Sequence, residues 1–503
     1  MRYSYGVGKM LKRFSMWCNR HEGLMILLFA VVLLRIPSLF TPHYYGDEEI
    51  YFVMGRAWRE GVSMYQSMFD HKPPLLYVLA GIAQGVFWFR AMLMATMLVH
   101  TVVFYKLARL LFSKRPKLAF VSALIFVILT SLPTFEGNIV NAELFMMLPI
   151  TWSLLVVFKA KQTDWRRFLF AGLIAGVGWL FKVPVVADFV AITLYLFAFR
   201  AESLGKSIRA MFSPAAILFI VGFVAPLASS FIYYAMRGIG QSYLDTVLTM
   251  NLGYVSSWST GAYSFNPFQS GIFVRGLAVA FITLLIYALR KKLDRGFVLT
   301  SLWFVFSLWG ALLSGRPYPH YLQEPFVPLS LLIPYLFVIE SVWGWGIGAI
   351  ILLSVGYVSK QIGFWTYDTW GLYKNFIGVT TGKMTKQEYV EKFDGARRNY
   401  AIGEYLNERL QEQEEIYLWS NDAAVYNLTN RLPAGGKYIV DFHVRDLKKH
   451  DYVMENLRIG KPKYIVVFPG TAEFPQLEEF LERYYMETFQ KEGAVVYMRQ
   501  GEW

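Results

Sequence analysis

Residues 73–117 read PPLLYVLAGIAQGVFWFRAMLMATMLVHTVVFYKLARLLFSKRPK, and how this stretch is divided decides the fold. The segment 90–112 has the ~20 apolar residues that a bilayer core requires. The segment 73–89 opens on Pro73-Pro74 and is shorter than that. If 73–89 crossed a membrane, Ser113-Lys114-Arg115-Pro116-Lys117 would fall outside, against the tendency of Lys and Arg to stay in the cytoplasm. If it lies along the interface or re-enters, the basic loops fall together. Lys114/Arg115/Lys117, Lys159/Lys161/Arg166/Arg167, Lys206/Arg209 and Arg290/Lys291/Lys292/Arg295 then share one side. The second reading predicts eleven spans with the N-terminus inside and the C-terminus outside. They are 22–40, 90–112, 117–133, 143–159, 168–181, 183–199, 212–235, 271–289, 297–314, 321–339 and 342–360.

Composition agrees with a helical membrane bundle. Of 503 residues, 55% are hydrophobic, 17% aromatic and only 17% charged, with a mean hydropathy of +0.36. Soluble domains carry about 25% charge. A disordered chain, a fibre and a soluble nucleic-acid-binding domain are excluded. The net charge of +13 is explained by cytoplasmic basic loops, without a nucleic-acid partner. The single cysteine, Cys18, excludes an internal disulfide. No Gly-x-Gly-x-x-Gly or Walker pattern occurs, which argues against a nucleotide as direct substrate. The expected domains are a membrane domain over 1–360, with a first external loop over 41–89, a linker over 361–382 and an external α/β domain over 383–503. Charge is dense in the last of these, and Glu415–Trp419, Tyr464–Phe468 and Ala494–Met498 read as strands.

On this topology the unusual polar residues gather outside. The first loop contains Tyr44-Tyr45-Gly46-Asp47-Glu48-Glu49 and Asp70-His71-Lys72-Pro73-Pro74. Adjacent carboxylates beside a membrane are costly. They suit general-base work on a hydroxyl, and equally a helix start, where Asp47 caps and Glu48 and Glu49 favour the dipole. His71 and Lys72 ahead of a Pro-Pro helix start suit an anion such as phosphate, or a lysine at a membrane boundary. Arg35, near the outer end of the first span, reads as a residue that snorkels to the interface or reaches a phosphate. Asp188 lies inside a predicted span with no evident role.

The series Gly46-Asp47-Glu48…Tyr51…Gly61…Tyr65…His71-Lys72-Pro73-Pro74-Leu75 resembles the first external loop of the dolichyl-phosphate-mannose protein mannosyltransferases. It also resembles that loop in the bacterial enzyme that puts aminoarabinose on lipid A. Asn138…Asn141-Ala142-Glu143, Lys182-Val183-Pro184 and Arg316-Pro317-Tyr318-Pro319-His320-Tyr321 extend the similarity to about residue 360. The resemblance implies a type-C glycosyltransferase fold and transfer, with inversion, of a sugar from a polyprenyl-phosphate donor at the outer face. The acceptor is a hydroxyl of a protein, lipid or glycan. It implies Asp47 as general base, with Glu48 and Glu143 as further catalytic acids. It implies His71, Lys72, Lys182, Arg316 and His320 around the donor phosphate, and Tyr44, Tyr45 and Tyr321 around the sugar.

Asp47, Glu143 and His320 are ligand types for Mg²⁺, Mn²⁺ or Zn²⁺, and the sequence leaves a divalent metal open. The absence of paired cysteines and of an endoplasmic-reticulum retention tetrapeptide points to a prokaryotic plasma membrane. The alternative reading is a transporter or lipid-carrier flippase. Such a protein places its polar residues on broken helices at the midplane, whereas here they sit in outer loops.

Overall fold

The structure is a computed structural model that describes residues 21–161, 163–250, 271–313, 318–363 and 368–501. Arg316, expected at the phosphate, lies outside the described residues. Each of the eleven expected spans contains a helix. We number the helices of the membrane domain α1 Glu22–Arg35, α2 Gly46–Arg59, α3 Leu75–Ala83, α4 Val86–Leu111, α5 Pro116–Leu129, α6 Ala142–Val157, α7 Trp165–Trp179, α8 Val185–Thr193, α9 Leu204–Met211, α10 Pro214–Met236, α11 Gly271–Leu289, α12 Arg295–Ala311, α13 Gln323–Leu336 and α14 Val342–Ile362. Among the described residues five helical segments have the length and apolarity to cross a membrane: Glu22–Phe40, Val86–Leu111, Pro214–Met236, Phe273–Lys292 and Val342–Lys360. The other expected spans are shorter. Helix α5, with 14 residues, is about 21 Å long. Among the described residues, five of the eleven expected spans are therefore met by helices of full span length, and the other six hold shorter helices.

The doubtful segment 73–89 divides at Gln84, whose left-handed backbone (φ 57°) ends α3 after nine residues. Nine residues make about 13.5 Å, under half a bilayer core. The span that follows starts at Val86 rather than at Arg90. Helices α2 and α3 pack where two glycines meet. A Cβ on Gly55 would stand 2.8 Å from the Tyr77 carbonyl oxygen, and one on Gly81 would strike the Gly55 backbone. This contact holds Asp47, at the start of α2, near Lys72, just ahead of α3.

The expected linker 361–382 contains a helix. Thr369–Thr380 is helical (α15) and lies against the end of the first span. There Phe376 stacks on Phe40, and the Tyr373 hydroxyl donates to the Leu34 carbonyl. The C-terminal region is the expected α/β unit. Strands β1 (Ile416–Trp419), β2 (Tyr464–Val467), β3 (Tyr485–Lys491) and β4 (Ala494–Arg499) form one sheet of order β1-β2-β4-β3. The β1–β2 pair is parallel, and the other pairs are antiparallel. A helix of this unit runs Ala396–Asn407. Strand β3 has no counterpart in the sequence reading, because its YMETFQK lacks the apolar run that marks the other three.

This unit is joined to the first loop. Phe69 donates its backbone N–H to the Lys437 carbonyl. Asn427 Nδ2 donates to the Glu49 carboxylate at 2.7 Å, and Arg56 donates to Asn430.

Candidate active site

The start of α2 buries Glu48 and Glu49 and leaves the Asp47 side chain 31% exposed. Asp47 accepts a hydrogen bond from the Tyr51 hydroxyl at 3.0 Å, one helical turn on. Its other close partner is Lys72 Nζ, at 3.8 Å. Burial on its own would raise the Asp47 pKa. Lys72 and then His320 outweigh it, so the pKa falls below the ordinary carboxylate value and Asp47 is ionised at neutral pH. Lys72 also lies 3.7 Å from Asp70 Oδ2 and over the Tyr51 ring. Tyr77 and Tyr65 hold the loop by accepting from the Lys72 N–H and donating to its carbonyl, respectively.

Glu48, expected beside Asp47 in catalysis, has quite different partners. Its carboxylate pairs with Arg90 (2.6 Å to Nη2) and accepts the Val140 N–H, with both charged side chains 1% exposed. Successive helical residues point about 100° apart, so one acid stays partly exposed and the next enters the bundle. Arg35 does not snorkel: it is 1% exposed and donates to the Thr130 carbonyl.

The later elements bring a second layer. His320 Nδ1 lies 2.6 Å from Glu136 Oε2 and 3.2 Å from the Tyr45 hydroxyl. Burial opposes protonation of His320, but Glu136, then Glu143 and Asp47, raise its pKa. Glu143 pairs with Lys182, whose ammonium stands 4.1 Å from the Tyr321 ring centroid. Of the three expected sugar-pocket aromatics, Tyr45 and Tyr321 adjoin this layer. Tyr44 instead packs between Arg90 and Phe393 of the C-terminal part.

Asp188, unassigned from sequence, accepts from Trp303 Nε1 at 2.7 Å inside the bundle. Glu136 was missed by the sequence reading, although it held one signal. It is an acid before Gly137 in an apolar turn, and it adopts a left-handed φ of 54°. His443 carried no local signal.

Among the described residues one set of three possible metal donors converges, and it is not Asp47, Glu143 and His320. It is Asp70, His71 and His443, whose donor atoms all lie within 4.8 Å of one another. Asp70 Oδ1 is 3.1 Å from His71 Nδ1 and 3.7 Å from His443 Nε2. Ligands 2.0–2.1 Å from a tetrahedral ion stand about 3.3 Å apart, so these separations fit. His443 is 5% exposed, and neither ring nitrogen has a hydrogen-bond partner among the described residues.

Two crystal structures of ArnT from Cupriavidus metallidurans share this architecture. The one bound to undecaprenyl phosphate superposes with a TM-score of 0.58 at 13% identity, over 94% of this chain and 98% of that one. The apo structure gives 0.57 at 13% identity, over 95% and 98%. The fold is that of ArnT. Residues 72–229 match the family model described as dolichyl-phosphate-mannose-protein mannosyltransferase. No curated protein sequence matches the chain. The ArnT-like superposition covers the C-terminal α/β unit as well as the bundle. The mannosyltransferase match starts at Lys72 and ends inside α10, so it takes in Arg90, Glu136, Glu143 and Lys182.

Proposed function

We propose that the protein is a membrane glycosyltransferase that moves a sugar from a polyprenyl-phosphate donor to an acceptor hydroxyl at the outer face, with inversion. The observation that carries this reading is an ionised, accessible carboxylate 3.8 Å from a lysine: Asp47 beside Lys72. The mannosyltransferase match over 72–229 and the undecaprenyl phosphate bound by the ArnT of the same fold support the donor class.

In the reaction the acceptor oxygen attacks the anomeric carbon from the face opposite the phosphate. The bond from that carbon to the phosphate oxygen breaks, and its electron pair leaves with the lipid phosphate. The acceptor proton passes to Asp47. Lys72 offsets the growing phosphate charge. It also couples the two ends: a phosphate that draws Lys72 away from Asp47 makes Asp47 more basic just when a base is needed.

Lys182 and His320 complete the positive side. Glu136 orients His320, and Tyr45 and Tyr321 face the sugar. Glu48 has a structural part here, holding Arg90 and the 140 turn. A divalent ion, of zinc or manganese type, has its best donors in Asp70, His71 and His443 and would supply further charge to the phosphate.

The experiment is transfer by Asp47→Asn with a polyprenyl-phosphate sugar donor. We expect a loss of about 10²–10⁴-fold in rate, with donor binding retained. An Asp47→Asn protein that kept more than half its activity would overturn the assignment.

A further inference from the structure

The loops at 111–117, 290–295 and 337–341 belong to three different helix junctions, yet they close on one cavity at the bundle end remote from Asp47. Its volume is about 480 Å³, within the range of small-ligand sites. Phe112, Phe297, Tyr335, Val338 and Ile339 make an apolar floor, and Lys114, Arg115 and Lys292 stand at the rim. Among the described residues no carboxylate lies within ion-pair distance of any of the three cations. Of the two acids in the lining, Asp294 is engaged: its Oδ1 caps α12 by accepting from the Gly296 and Phe297 N–H groups. Glu340 is exposed.

Helices α5 and α14 both start at this cavity, at Arg115 and Ser341, and neither start has a side-chain cap. The first-turn N–H groups of α14 add to the positive character of the cavity. The depth of the site is marked as well. Trp343 and Trp345 are 52% and 55% exposed at the start of α14, and Phe337 and Val342 are more exposed still. Lys292 Nζ lies 5.1 Å from the Trp343 ring centroid. Exposed tryptophans at a helix start belong at headgroup level.

We propose that this cavity binds the phosphoglycerol headgroup of an anionic phospholipid from the leaflet bounded by the basic loops. The phosphate sits among Lys114, Arg115 and Lys292, and the acyl chains leave past Phe337 and Val342. Basic pockets between helix ends at this face suit anionic lipids for these electrostatic reasons. The occupant differs from the donor lipid in place and leaflet, and the proposal does not depend on the catalytic assignment.

The test uses the full-length protein in neutral detergent, titrated with phosphatidylglycerol, phosphatidylcholine or inorganic phosphate. It follows the melting temperature, and retained lipid by native mass spectrometry. Phosphatidylglycerol is expected to be retained and to raise the melting temperature, with the other two doing neither. The triple variant Lys114→Gln/Arg115→Gln/Lys292→Gln should lose about a hundredfold in affinity, at about a fivefold factor per cation. Ser341→Asp serves as the second variant, because it improves the cap of α14 while placing a negative charge in the cavity. It should fold at least as well as the parent and still lose the lipid. Equal retention of phosphatidylglycerol by both variants, or equal retention of phosphatidylcholine by the parent, would overturn the proposal. A melting shift with inorganic phosphate matching that of the lipid would make the cavity a free-anion site, which also overturns it.

Discussion

At Asp47 and Glu48, one helical step separates a partly exposed carboxylate from a buried, arginine-paired one. The Glu48–Arg90 pair has both side chains 1% exposed, and breaking such a pair by removing one partner leaves an uncompensated buried charge. We therefore expect Glu48→Gln to lower stability by about 3–5 kcal/mol while sparing chemistry in whatever fraction folds, as measured by chemical denaturation alongside transfer assays. Inactivity at parental stability would return a catalytic role to Glu48. The metal question is also decided at single residues. Protein purified without chelators is expected to carry a divalent ion by elemental analysis, with His443→Ala losing it and Glu143→Gln keeping it. The reverse pattern would move the ion to the Asp47, Glu143 and His320 set. That Asp47 stands near Lys72 was legible in the sequence because both lie in one short loop. The roles of Glu136 and His443 were not, because each meets its partner across a separation of 184 or more residues.

Among elements, α7 and α10 show how closely two helices can approach when side chains are absent. A Cβ on Gly172 would strike the Phe219 carbonyl and stand 3.0 Å from the Gly222 Cα, and one on Gly176 would meet Pro226 at 2.9 Å. Small residues at such a spacing allow this approach, and Gly172→Leu is expected to give a marked fall in melting temperature in detergent, where a neutral outcome would contradict the contact. The junction between the first loop and the C-terminal unit has a pH dependence of its own. Burial disfavours the His43 cation, but Glu49 at 2.9 Å, with Glu48 behind it, outweighs burial and the opposing Arg90, so the folded pKa lies above the ordinary value. A group of this kind stabilises fully below its unfolded pKa of about 6.5 and loses that contribution as pH rises through the folded value. The melting temperature of the parent should therefore fall relative to His43→Gln as pH is raised above about 6.5. His320, shifted in the same direction, is common to both proteins and cancels in the difference. An unchanged difference across that range would remove His43 from the junction.

Across the whole molecule, orientation is the property that the basic loops imply and that labelling can read. In a Cys18→Ser background, a cysteine at the exposed Ser113 is expected to resist an impermeant thiol reagent in intact cells, while one at the exposed Gln411 reacts. Ser420, at 0% exposure, is unsuited to such labelling. The opposite pattern would invert the topology. The bundle, its helix order and the α/β tail were readable in the chain itself, because hydropathy and charge act over a few tens of residues and need no knowledge of contacts. So was the nearness of Asp47 and Lys72, which are 25 positions apart within one loop. Which acid stays exposed beside Lys72 and which supports the bundle could not be read that way. Asp47 and Glu48 are equivalent neighbours until Arg90 and Val140 claim one of them. The place of the tail was likewise settled only by the tertiary structure. His443 and Asn427 gain meaning from what they touch, Asp70 and Glu49, and contacts across more than 370 residues leave no periodicity in the sequence because their strength depends on distance in space alone.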